Sequence, residues 1–99
     1  MGAYIKGVES MDNYTIILNE LTKFFDVNDV LRASLEKYSL EITGRPLDQN
    51  VELFARTYAN AEHTEAIIDE LQYMNQEPHD ITEMEVMYQY IDDMEELKQ

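Results

Sequence analysis

Residues 28–48, NDVLRASLEKYSLEITGRPLD, decide the fold class. Val30, Leu31, Leu35, Tyr38 and Ile42 recur at spacings of about three and four, which lines them up along one side of a helix. A side-chain oxygen from Asp26 or Asn28 stands where the first turn needs an acceptor for its free amides. Gly44 follows the last apolar residue, where a helix end favours a left-handed backbone, and Pro46 stops any continuation. Start, stripe and stop agree, so this segment reads as one complete helix.

The same periodicity extends in both directions. Upstream, Tyr14, Ile17, Leu18, Leu21, Phe24 and Phe25 form one face of a helix that Asp12 can cap, with Ile16 alone pointing away. Residues 1–11 read as a short N-terminal arm, flexible or extended, with Ala3, Tyr4 and Ile5 held between Gly2 and Gly7. Downstream, Asp48 is the expected cap of a helix that turns Val51, Phe54, Ala55 and Tyr58 inward. Ile67, Ile68, Leu71 and Met74 continue a helical pattern to about Asn75. Spacing leaves open whether residues 48–75 make one helix or two. After a loop over QEPHD (residues 76–80), Thr82 to Glu85 form a capping box for a final helix.

The expected fold is all-α: a small single-domain bundle of four to five helices over residues 1–99, with a short N-terminal arm. Only 3 Gly and 2 Pro are present, too little turn material for an all-β domain. Hydrophobic residues make up 44% of the chain, enough for one modest core.

Composition also narrows function. The absence of Cys excludes a disulfide framework, a thiolate nucleophile and a Cys-ligated zinc. No apolar run is long enough for a membrane span, and MGAYIKGVES lacks the apolar core of a secretory signal, so a cytoplasmic protein is expected. A net charge of −14 disfavours direct binding to nucleic acid or an anionic membrane, and favours basic partners.

That charge is unevenly spread. Up to Thr57, nine acids meet six bases; from Tyr58 onward, twelve acids meet only Lys98. The first half places opposite charges at helical spacing: Glu20/Lys23, Asp29/Arg32, Arg32/Glu36, Lys37/Glu41 and Glu52/Arg56. In the second half like charges stack instead, with Glu62, Glu65 and Asp69 in one group and Glu85, Asp92 and Glu96 in another. Such rows are either solvated faces or a docking surface.

On a helical wheel, Glu85, Gln89, Asp92 and Glu96 fill a sector of only about 60°. Ile81, Met84, Met87, Tyr88, Ile91 and Met94 form a broad apolar arc, and Val86, Tyr90 and Leu97 form a second strip beside it. A helix with this much apolar surface is either wedged between two neighbours or has one core face and one partner face. Methionines suit a partner face by their flexibility, and equally fill gaps in a core.

No catalytic or metal motif stands. The residues three before His63 and His79 are Asn60 and Gln76, so the Glu-x-x-His of carboxylate-bridged metal bundles is absent. Residues 26–37 begin like a calcium loop, but carry Leu31 where Gly is needed and Lys37 where Glu is needed. A metal site on Glu62, His63, Glu65 and Asp69 has a single His and no second nitrogen ligand. No enzyme activity, cofactor or metal is expected.

The leading expectation is therefore a non-enzymatic acidic interaction module. It would act through its C-terminal helices, on another protein with a basic surface or on a second copy of itself. Candidate contact residues are Glu62, Glu65, Asp69, Tyr73, Glu85, Val86, Tyr90, Asp92, Glu96 and Leu97, with Tyr73 and Tyr90 expected to be exposed. The alternative is an inhibitor of phage or plasmid type that imitates nucleic-acid charge in the groove of a DNA-binding protein.

Overall fold

A computed structural model describes the backbone of residues 2–76 and 84–98, and side chains from Asn13 onward within those ranges. It is an all-α bundle of five helices: α1 (Gly2–Phe25), α2 (Asp29–Thr43), α3 (Leu47–Tyr58), α4 (Thr64–Met74) and α5 (Met84–Met94). The capping box at Thr82 and Glu83, the loop around His79, and Ile81 lie outside the described residues.

Helix α1 starts upstream of the expected cap at Asp12, so the expected arm carries helical backbone. Glycines in a helix interior cost only about 1 kcal/mol each, and no proline interrupts this segment. Ile17, Leu21, Phe24 and Phe25 are fully buried, while Tyr14, Ile16 and Leu18 pack against the core from its margin. Ile16 therefore belongs to the packed face as well.

Helix α2 has the expected ends. Asn28 is the N-cap, its side chain accepting the Leu31 amide at 2.9 Å. Gly44 takes a φ of 74° and donates its amide to Leu40 O at 3.0 Å. Its buried face is Leu31, Leu35 and Ser39. Val30, expected on the stripe, is 79% exposed because it lies to one side of the line through Leu31 and Leu35.

Helix α3 is the central element, packed against α1, α2 and α5. It accordingly buries Leu47, Asn50, Val51, Leu53, Phe54 and Ala55. Its N-terminus departs from expectation. Pro46 holds the N-cap position, and the Leu47 amide is satisfied by Glu36 Oε2 of α2 at 2.7 Å. Asp48 instead takes Arg32 at 2.5 Å. Arg32 and Glu36, expected to pair with each other, thus both reach across to α3.

Residues 48–75 form two helices. The Thr64 hydroxyl donates to the carbonyls of Tyr58 and Ala61, which closes a turn over residues 59–63 and starts α4. Helix α4 packs on α1. Beyond its end, Asn75 Nδ2 donates to the Glu20 carbonyl at 2.9 Å and to the Glu20 carboxylate at 2.8 Å.

Helix α5 is wedged. It packs on α2 and α3, with Tyr88 against Tyr38 of α2 at 4.6 Å between ring centres. On its other side Tyr90 meets Phe24 of α1 at 5.6 Å and Phe54 of α3 at 5.9 Å. Each apolar strip therefore has a ring packed on a neighbouring helix, while Val86 of the second strip stays exposed. Met87, Ile91 and Met94 are fully buried and fill the core.

A polar cluster pins the end of this wedge. Asn50, fully buried, donates to Ser39 Oγ at 2.7 Å and Thr43 Oγ1 at 2.8 Å, and accepts from Arg45 Nε at 2.7 Å. The Arg45 guanidinium then donates to Met94 O at 2.5 Å and Leu97 O at 3.1 Å. A cation on the last carbonyls of α5 satisfies orphan acceptors and complements the helix dipole. Among the described residues no buried side-chain nitrogen or oxygen lacks a partner.

Candidate functional site

Helix α4 leans on α1 while α5 leans on α2 and α3, so the two acidic helices diverge. Between them, over α3, opens a groove of about 390 Å³. Its α4 wall is His63, Ile67, Glu70 and Met74, and its α5 wall is Val86, Gln89, Tyr90 and Asp93; Phe54 and Tyr58 of α3 complete it. Both walls follow helical spacing, so each helix presents one continuous row to the groove.

One hydrogen bond crosses it. Tyr90 Oη donates to Glu70 Oε2 at 2.6 Å. Four residues beyond Glu70 is Met74, and four before Tyr90 is Val86; three residues to the other side lie Ile67 and Asp93. The groove thus combines apolar lining from Ile67, Met74 and Val86 with the carboxylates of Glu70 and Asp93. Burial, the bond to Glu70, and the negative charges of Glu70 and Asp93 push the Tyr90 hydroxyl well above the usual phenol range. It therefore stays a proton donor. Tyr38 Oη makes a matching bond to Asp92 Oδ1 at 2.6 Å, and that bond, followed by desolvation, raises its pKa as well.

These facts relocate several expected contact residues. Tyr90 is only 9% exposed and belongs to the core, and Leu97 is equally buried. Both were expected on a free strip; Phe24 of α1 and Phe54 of α3 cover Tyr90, and Leu97 joins the core. Asp92 is half-buried and occupied by Tyr38 of α2. Val86, 42% exposed, stays accessible at the groove, and Tyr73 is 74% exposed on α4. Glu62, Glu65, Asp69, Glu85 and Glu96 all stand exposed.

His63 packs edge-on to the Tyr58 ring at 5.5 Å. Among the described residues no group of three or more His, Asp or Glu is arranged to hold a metal ion. No described helix is long and apolar enough to cross a membrane.

Three ion pairs occur among the described residues: Lys23–Glu20 at 3.9 Å, Arg32–Asp48 at 2.5 Å and Arg56–Glu52 at 3.7 Å. All lie in the first half of the chain. Among the described residues no base of the first half forms an ion pair with a carboxylate of α4 or α5.

Sequence reasoning missed Glu70, Gln89, Asp93 and the Arg45–Asn50 cluster. Asn50 did carry a signal, since it sits between Leu47, Val51 and Phe54 on an inward-facing helix row. Glu70 and Tyr90 are 20 residues apart on different helices, and no local spacing links them.

No protein-family model matches the chain, and searches of curated proteins and of solved structures return no match.

Proposed function

We propose that this protein is a small non-enzymatic interaction module whose acidic helices α4 and α5 engage a protein with a basic surface. The observation that carries this reading is the distribution of ion pairs. Every pair among the described residues lies before Tyr58, while Glu62, Glu65, Asp69, Glu85 and Glu96 stand exposed without one. A second copy of the chain is a poor counterpart, because each copy carries a net charge of −14 and Lys23, Arg32, Arg45 and Arg56 are already engaged. Imitation of a phosphate backbone is less favoured, since Asp92 in the α5 row is occupied by Tyr38 and Asp93 accepts from Gln89. A cytoplasmic setting belongs to the same reading.

The test is capture from the native host with the full chain and with an E62Q/E65Q/D69N/E85Q variant. The expected result is a basic partner retained by the wild type and lost by the variant. Retention should fall steeply with salt, because the screening length shrinks from about 8 Å at 0.15 M to about 3 Å at 1 M. A partner held equally by both proteins at high salt would overturn the reading.

A further inference from the structure

The α4/α5 groove differs from the acidic surface around it in having aromatic walls. Phe54 and Tyr58 lie 4.4 Å apart between ring centres, and Tyr90 stands 5.9 Å from Phe54. The same groove is lined by two carboxylates, each with one oxygen engaged inside the chain: Glu70 Oε2 by Tyr90, and Asp93 Oδ1 by Gln89 at 3.1 Å. The second oxygen of each carries no hydrogen bond among the described residues. Among the described residues no Lys or Arg lines the groove.

An aromatic lining and unneutralised carboxylates attract the same kind of group, an organic cation with an apolar stem. An anion would be repelled by Glu70 and Asp93. A purely apolar side chain would desolvate both carboxylates and return nothing to them. A metal ion lacks a ligand set here. The groove's volume of about 390 Å³ admits one long side chain with part of its backbone. Between the two basic residues, planar guanidinium suits this site better, because it packs flat on an aromatic ring and offers five donors to carboxylate oxygens.

We infer that the groove is the anchor of the interaction surface, receiving an arginine side chain from a basic segment of the partner protein. Its guanidinium sits against the partly exposed Tyr58 ring and donates to Glu70 and Asp93. An apolar neighbour of that arginine packs on the apolar lining from Ile67, Met74 and Val86. This rests on the proposal that α4 and α5 dock a basic protein, and adds where the contact is centred.

The test uses the full isotope-labelled chain and two short peptides. One carries a single arginine flanked by leucines; the other replaces arginine with uncharged citrulline. Saturable amide shifts at Glu70, Gln89, Tyr90 and Asp93 are expected with the arginine peptide, and binding about tenfold weaker with citrulline. The E70Q/D93N variant should lose about tenfold in affinity for the arginine peptide while its amide spectrum away from the groove matches the wild type, since glutamine still accepts from Tyr90. Equal binding of both peptides would overturn the cation assignment. Shifts confined to Glu62, Glu65, Glu85 and Glu96, and unaffected by E70Q/D93N, would overturn the groove while leaving the acidic docking surface intact. Absence of saturable shifts with either peptide would also overturn the groove, and the capture experiment would still judge the broader reading separately.

Discussion

Asn50 is a polar side chain in a place where helix α3 otherwise buries only carbon. Its amide is fully used, by Ser39, Thr43 and Arg45, and through Arg45 it reaches the end of α5. Replacing it with alanine strands several buried partners at once. Asn50→Ala should therefore destabilise the protein by about 1–3 kcal/mol, read as a lower midpoint in urea unfolding. Tyr90 makes a different prediction. Its folded-state pKa is raised, by burial first and by Glu70 second, so the folded state holds its proton after the unfolded chain has released it. The stability this contributes is complete below the ordinary phenol pKa of about 10 and declines as pH rises beyond it. Melting temperature should accordingly fall above about pH 10 in the wild type, and less steeply in Tyr90→Phe. Equal alkaline slopes would contradict this origin of the shift.

Helices α2 and α5 show how far a helix can be read from its own residues. The ends of α2 are local: Asn28 caps Leu31, and Gly44 turns left-handed with nothing within 4 Å of where a Cβ would stand. Gly44→Ala should thus destabilise by about 1 kcal/mol through backbone strain alone, with no steric clash, measurable by thermal unfolding. The N-terminus of α3 is not local. Asp48 has the right residue type at a plausible cap position, but Glu36 of α2 reaches the Leu47 amide and Arg32 draws Asp48 away. In α5 the periodicity correctly showed two apolar strips. Which strip is covered depends on Tyr38, Phe24 and Phe54, and none of these is near α5 in sequence.

At the scale of the whole molecule, most of the net charge sits on the second half of the chain, where the described ion pairs do not reach. Like charges on α4 and α5 repel at low ionic strength. Added salt should therefore raise the melting temperature between about 0.01 and 0.15 M, over which the screening length falls from about 30 to about 8 Å. The E62Q/E65Q/D69N/E85Q variant should show a smaller rise. The sequence by itself determined the helical class, the capped and terminated α2, the inward rows of α1 and α3, and the asymmetry of charge, because spacing and end residues act within a few residues of one another. The tertiary structure alone decided that Tyr90 and Leu97 are core residues, that Arg45 holds the end of α5, and that Glu70 and Asp93 line one groove with Phe54, Tyr58 and Tyr90. Those outcomes depend on where α4 and α5 lean, and that is set by which helix covers which apolar strip, a contest among side chains far apart in the chain.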